Sequence, residues 1–463
     1  MIVEYPQHMT PIVQRKGMNV SADRDDAASI DRLIRSAASY IAGGVVSLNR
    51  KVEPDITFVR AAGSKLTDID GTEYIDYHAA FSPHLLGHND PGVNAAVVEA
   101  IDRQESLMGT GTTPWEVTLA RLLCESVPSL ERVQITNTGS EATAHAIRLA
   151  RAYTGRDDII LMLGGYNGWH NDVARTVMPT IEQIGPRVSP GEYPVLPFSA
   201  GIPQDALRHL HVVNFNDSDS VEYVMGERPI ACVLVEPVLQ NIGVVLPRPS
   251  YLARLRELCD RHGALLVFDE VKTGFRTCLG GYQQVCNVTP DLSLFGKAVA
   301  NGYPMGVIGG RERIMRLFHD PDPARKTLIA GTYNAHPFTS AAAIATIERL
   351  RDHGDEIYAR LDRLTARLVA GLTEIFSDRG IASTTPRNGS AYCTYFCDHA
   401  PVDWHDIAAN HDFELDRRYR RALIERGIYQ FPQPCKQGSV SAAHSDQDID
   451  RTLEIAARVV GEL

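Results

Sequence analysis

Apolar positions recur at helical spacing over residues 27–41, stop at Gly43-Gly44, and then alternate over three short stretches at 56–60, 65–70 and 73–77. Asp70-Gly71 between the last two is a two-residue hairpin signal, so this part predicts a small β meander. A helix is expected at 93–104. From Glu116 the pattern turns to helix and strand: helices at 116–126 and 140–153, strands at 133–137, 159–163, 231–235, 265–268 and 292–295. Such alternation, with continuously apolar strands, predicts an α/β fold whose mainly parallel sheet is covered on both faces. The last third reads as helix 343–377, strand 391–396 and helices 417–426 and 446–463. The expected organisation is an N-terminal segment over 1–85, a large domain over 86–344 and a small C-terminal α/β domain over 345–463.

With 463 residues, 44% of them hydrophobic, the chain can bury a large core and is expected to divide into a major and a minor domain. Its 46 basic against 57 acidic residues, a net charge of -11, argue against a nucleic-acid or anionic-membrane partner. No apolar run is long enough to span a bilayer, and the start, MIVEYPQHMTPIVQRKG, lacks a charged-then-apolar leader pattern, so the cytoplasm is the expected location. Of eight cysteines, Cys124, Cys232 and Cys259 read as core residues. Cys393 and Cys397 have no partners at metal spacing, so no zinc site is expected.

The chemistry gathers after the strands. The run at 263–268 delivers Asp269 and Glu270 at its carboxyl end, where open α/β sheets bind ligands. Lys297 follows the next apolar run, among Leu294, Phe295, Ala298 and Val299, a setting that suits a desolvated, nucleophilic amine. A lysine for a Schiff base and a carboxylate against a pyridine nitrogen are what pyridoxal phosphate requires. Thr136-Asn-Thr-Gly-Ser-Glu-Ala142 turns a strand into a helix N-terminus, a phosphate site or ordinary capping by Ser140. In Gly164-Gly-Tyr-Asn-Gly-Trp-His170 a ring could stack on a flat cofactor, or Tyr166 and Trp169 could anchor the loop. Glu236-Pro237 and Asn241 follow another strand. Four strands thus end in polar or aromatic groups on one edge.

The order Gly-Ser-Glu-Ala, the Tyr-containing glycine loop, Glu-Pro, Phe-Asp-Glu-Val-x-Thr-Gly-Phe-Arg, Gly-Lys and Gly-Thr-x-x-x-x-Pro resembles the class III aminotransferases, which are fold-type I pyridoxal phosphate enzymes. Within them the chain is most similar to the glutamate-1-semialdehyde aminomutase branch, through residues 43–50, 68–77, 148–156 and 441–444. The resemblance implies a large domain with a mainly parallel seven-stranded sheet, and a small α/β domain built from the N-terminal segment and the C-terminal third. It implies that Lys297 holds the cofactor as an aldimine and moves protons. Asp269 would pair with the ring nitrogen, Gly139 and Ser140 with the phosphate, and Tyr166 with the ring face. Glu236 and Asn241 would line the substrate side. Thr332, in Gly331-Thr-Tyr-Asn-Ala-His-Pro337, would reach the partner subunit's phosphate, which implies a homodimer with shared active sites. Ser47 and Arg50 match substrate-contacting positions, Arg50 as a carboxylate clamp or else as a surface arginine.

Four positions depart from the pattern. Tyr-His-Gly becomes Tyr166-Asn-Gly168, and Trp becomes Phe81. Lys272 stands where an uncharged residue is common; it either lies near the cofactor ring or is solvated. Lys436 replaces an acid of the aminomutase branch, which favours an anionic group in the substrate. The expected activity is amino transfer from an amino acid or amine donor to a carbonyl acceptor, through pyridoxal and pyridoxamine phosphate. An aminomutase using the same residues is the alternative; a racemase or a non-catalytic pyridoxal phosphate binder stands behind both.

Overall fold

Strand Leu265–Asp269 shows how the central sheet is built. Leu265 and Val267 belong to one face, with Ala142, Ala146 and Ile147 of helix Gly139–Thr154. Leu266 and Phe268 belong to the other, with Leu255, Leu258 and Cys259 of helix Tyr251–His262. Both faces are therefore dry, and the strand needs an apolar residue at every position.

The computed structural model describes residues 32–463. In chain order its strands are β1 Phe58–Ala62, β2 Lys65–Asp68, β3 Glu73–Asp76, β4 Arg132–Thr136, β5 Asp158–Met162, β6 Leu210–Val213, β7 Ile230–Val235, β8 Leu265–Asp269, β9 Leu292–Gly296, β10 Gly306–Gly310, β11 Arg387–Asn388, β12 Ala391–Tyr392, β13 Ile428–Tyr429 and β14 Gly438–Ser439. Seven form one sheet in the order β4-β10-β9-β8-β7-β5-β6. It is parallel except for β10, which runs antiparallel between β4 and β9.

Two of these strands, β6 and β10, are absent from the pattern-based reading. β10 is Gly-Val-Ile-Gly-Gly, a composition that reads as a turn. Its glycines are needed for close packing: a Cβ on Gly306 would lie 2.1 Å from the carbonyl oxygen of Thr138 and 2.5 Å from Thr136 Oγ1. β6 is buried throughout and lies at the sheet's edge beside β5.

The described chain forms two compact units. The first comprises the described residues up to Arg60 together with Leu66–Glu73. It contains helical residues 32–35, a short helix Ala37–Tyr40 and a tight turn in which Asp68 Oδ1 accepts from the backbone N–H of Asp70 and Thr72. The N-terminal part of the expected helix, residues 27–31, lies outside the described residues.

The second unit, Ala61–Lys65 with Tyr74–Leu463, holds the seven-stranded sheet and the C-terminal third. Its longest helix, Pro337–Ser377, departs from helical geometry once, at His353, and contributes Ile347, Leu350, Leu361, Leu364 and Leu368 to the core shared with helices Pro91–Asp102, Pro114–Ser126 and Asp446–Glu462. The domain boundary expected after residue 344 falls inside this helix. The strand expected over 391–396 is ordered as a strand only at Ala391–Tyr392. Among the described residues one His–Asp–Cys cluster has metal-like spacing, His411, Asp416 and Cys435. Its chemistry is that of an ion pair: Asp416 Oδ1 accepts from Arg420 Nε at 2.6 Å, and His411 Nδ1 accepts from the Phe396 N–H, so Nε2 carries the hydrogen that faces Asp416 Oδ2.

Candidate active site

Five strand ends converge on one cavity of about 280 Å³, lined among others by Asn137 and Gly139 after β4, Tyr166 after β5, Glu236 and Asn241 after β7, Asp269 and Lys272 at the end of β8, and Lys297 after β9. Lys297 directly follows Gly296 and adopts φ 48°, a left-handed conformation that a non-glycine residue takes only where the surroundings hold it there. Burial pushes its ammonium below the ordinary lysine range, while Asp269 and Glu236 pull the other way.

Asp269 and Glu270, adjacent in sequence, are separated by the fold. Asp269 faces the cavity. Its Oδ2 accepts from Asn167 Nδ2 at 2.8 Å and its Oδ1 from the Val271 N–H at 3.1 Å. Burial raises its pKa, and the two donors and Lys297 oppose that shift. Glu270 is turned away and fully buried, accepting from the N–H groups of Tyr282 and Gln283, from Gln283 Nε2 and from Thr273 Oγ1. It anchors the turn before helix Tyr282–Cys286 and has no place in the cavity.

The first turn of helix Gly139–Thr154 is capped by Thr138 rather than Ser140. Thr138 Oγ1 accepts from the Glu141 N–H, and the Glu141 carboxylate accepts from Thr138 N and Asn137 N. Ser140 is thereby left to the cavity, next to the positive end of the helix. Gly168, at φ 122°, closes this corner: a Cβ there would lie 2.9 Å from Ser140 Oγ.

Glu236 is buried. Its Oε1 accepts from the Tyr166 N–H at 2.8 Å and from Asn241 Nδ2 at 2.9 Å, and its Oε2 from the Gln240 N–H at 3.2 Å. Burial and the neighbouring Asp269 raise its pKa. Lys272 is buried as well, which excludes the solvated alternative. Its Nζ donates to the Gln240 carbonyl at 2.9 Å, and burial together with Lys297 drives its pKa well below the ordinary value. Lys436 Nζ donates to the Asn241 carbonyl at 2.9 Å.

Lys436, Thr332, Ser47 and Arg50 are not among the residues that line the cavity. Thr332 is exposed on a loop tied to the cavity rim by Asn137 Nδ2 donating to Asn334 Oδ1 at 3.1 Å. Ser47, half-buried, and Arg50, exposed, belong to the first unit. Trp169 is 65% exposed and anchors nothing.

Sequence reasoning missed several contributors. Asn167, noted only as a departure from Tyr-His-Gly, is the side chain that holds Asp269, and Arg175 backs it at 3.4 Å while donating to the Met162 and Gly165 carbonyls. Residues Ala79 to Ser82 form a left-handed turn of four consecutive non-glycine residues, φ 47° to 76°, which leads into the lining residue Pro83. Asp76 caps it by accepting from the His78 and Ala79 N–H groups, and Phe81 packs on His78 and Phe431. Nothing in Ala-Ala-Phe-Ser signals such a turn.

The cavity fits pyridoxal phosphate. It offers an amine, a carboxylate held by donors on the adjacent strand end, an aromatic ring on the loop after β5, and a helix N-terminus stripped of side-chain bulk by Gly139 and Gly168, where a phosphate is favoured.

Compared with known proteins, residues 47–414 match the family model described as aminotransferase class-III. A glutamate-1-semialdehyde 2,1-aminomutase from Syntrophus aciditrophicus is 36% identical over 94% of this chain and 98% of its own length. Among solved structures, an omega-transaminase from Sphaerobacter thermophilus is similar at a TM-score of 0.85 and 30% identity, covering 93% of this chain and 97% of that one. A transaminase with pyridoxal phosphate bound is similar at a TM-score of 0.80 and 26% identity, covering 94% and 98% respectively.

Proposed function

The chain belongs to the class III aminotransferase family, and from that premise we propose that Lys297, Asp269 and the helix turn at Gly139–Ser140 are the working parts of an enzyme that moves an amino group from an amino acid or amine to a carbonyl acceptor. It is a pyridoxal phosphate enzyme of fold type I. The observation that supports the residue roles is the convergence of Lys297, Asp269, Tyr166 and Ser140 on one cavity at the carboxyl ends of the parallel strands.

When bound, pyridoxal phosphate supplies a carbonyl for the amine and an electron-withdrawing ring. Lys297 would anchor it and, released by the donor's amine, would carry the proton on and off the substrate carbon that bears nitrogen. The burial that lowers its pKa keeps more of the amine unprotonated near neutrality. The Asp269 carboxylate would hold the proton on the ring nitrogen, kept in place by Asn167. Gly139 N–H, Ser140 N–H and the Ser140 hydroxyl would bind phosphate, and Tyr166 would cover the ring. Glu236 and Asn241 would border the substrate, with Ser47 and Arg50 as carboxylate contacts. Thr332, exposed here, would meet the phosphate of a second copy, so the working unit is a homodimer with shared sites. A cytoplasmic location goes with this reading. Among the described residues no helix is long and apolar enough to cross a membrane.

A second reading, intramolecular amino transfer, is favoured by the aminomutase relatives that align over nearly the whole chain. Lys436, in place of that branch's acid, speaks against it. One experiment separates the two. The holoenzyme is mixed with a panel of amino acids and amines while its visible absorbance is followed and released carbonyl products are identified. Bleaching with a donor, absent in Lys297→Ala, supports transamination. Turnover of an amino-aldehyde without a second substrate supports the aminomutase. Full activity in Lys297→Ala would sink both.

A further inference from the structure

Lys272 in the cavity lining, with Lys436 and Arg276 bonded to the backbone of the lining residues Asn241 and Lys272, carries positive charge that the chain itself leaves largely unmatched. Lys272 Nζ donates to the Gln240 carbonyl at 2.9 Å and to Gln437 Oε1 at 3.5 Å. Lys436 Nζ donates to the carbonyl of the next residue, Asn241, at 2.9 Å and lies 3.0 Å from Met178 Sδ. All of these partners are neutral. Among the described residues neither ammonium has a carboxylate within 4.0 Å.

Arg276, 1% exposed, adds a third cation bonded only to neutral oxygens: the Lys272 carbonyl, Ser390 Oγ and the Ser82 carbonyl. The acid that both lysines feel is Glu236. It is already satisfied by three donors and is itself biased toward the neutral form. Gln240, whose carbonyl receives Lys272, is fully buried with both side-chain amide atoms unpartnered. Lys272 is buried and Lys436 half-buried; a buried ammonium group without a counter-charge is unfavourable, and so is a buried amide without partners. A fold retains them where a ligand completes the set.

We propose that Lys272, Lys436 and the Gln240 amide form an anion subsite for the distal carboxylate of a dicarboxylic amino acid or keto acid. The two ammonium heads bond to consecutive backbone carbonyls, Gln240 and Asn241, and each lysine's charge is felt at this one short segment, where a carboxylate is favoured. Asn241 and Lys272 line the same cavity as Lys297, so the amino group of such a substrate faces Lys297 while its far end meets Lys272, with Lys436 behind Asn241. This inference rests on the amino-transfer reading for the identity of the substrate, but the subsite itself is measurable without turnover.

The test is calorimetric titration of the holoenzyme with glutarate and with valerate, which share five carbons and differ in one carboxylate. Glutarate is expected to bind at least tenfold more tightly. Lys436→Met and Lys272→Met should each reduce that advantage to under threefold while leaving valerate affinity within twofold. Lys436→Arg, which keeps the charge, should retain it and covers the case in which a methionine variant loses its cofactor absorbance. Equal affinity for the two acids, or an equal loss for both in the methionine variants, would overturn the subsite, and tighter binding of 4-phosphonobutyrate than glutarate would overturn the carboxylate assignment. A holoenzyme that prefers glutarate yet transfers no amino group keeps the subsite and loses the transfer reading. One that uses alanine and aspartate with equal kcat/KM loses the subsite alone.

Discussion

Replacing Asn167 by leucine removes a single donor from the carboxylate on which the cofactor's electronics depend. Asn167 Nδ2 lies 2.8 Å from Asp269 Oδ2, and Asn167 is 4% exposed, so no solvent is at hand to take its place. Leucine keeps the branched shape of asparagine, which limits the change to the bond to Asp269 and the long 3.4 Å one from Arg175. Asp269 keeps the Val271 N–H on its other oxygen, and Arg175 keeps the Met162 and Gly165 carbonyls, so the perturbation stays local. A hydrogen bond to a charged group is worth about 1.5–3 kcal/mol. If the full amount is felt when the ring draws charge toward its nitrogen, the rate falls by about 10- to 150-fold. The assay is the single-turnover rate of cofactor bleaching with a saturating donor, alongside the cofactor dissociation constant. Asn167→His, which restores a ring N–H, should recover most of the loss. A leucine variant with bound cofactor and a rate within threefold of the parent would refute the idea that Asn167 holds Asp269 for catalysis.

Gly168→Ala places a methyl 2.9 Å from Ser140 Oγ at φ 122°, so its cofactor dissociation constant, measured by reconstituting the apoenzyme, should rise at least about fivefold, in line with strain of about 1–3 kcal/mol. Asp416→Ala leaves the buried Arg420 unpaired and should lower stability to urea by about 3–5 kcal/mol at neutral pH. Burial alone would raise the pKa of Asp416, yet Arg420 and His411 hold it below the ordinary range, so its contribution is present above about pH 4 and fades as the pH falls through the folded value; the gap between parent and variant should narrow in acid. Burial pushes Lys436 down to about 8, against the pull of Cys435, Cys393 and Glu236. Its charge is present below that pH and lost above it, so the glutarate-to-valerate affinity ratio should decline between pH 7 and 9 in the parent and stay level in Lys436→Arg.

What the sequence determined by itself is what local chemistry can encode. Apolar runs and their helical spacers located five of the seven sheet strands to within a residue or two, and residue types at strand ends marked Gly139, Tyr166, Glu236, Asp269 and Lys297, because a parallel sheet brings all its carboxyl ends to one edge. Tertiary structure decided the rest. β10 pairs as a strand between β4 and β9, which with their neighbours leave no room for a Cβ at Gly306, Gly309 and Gly310. Of the neighbours Asp269 and Glu270, only the fold assigns one to the cavity and the other to a helix turn. Asn167 meets Asp269 across 102 residues of chain, and Lys272 and Lys436, far apart in sequence, are anchored to adjacent carbonyls of a third segment. Propensity and period act over a few residues, whereas hydrogen bonds and buried charges are matched in space, between groups that the sequence does not bring together.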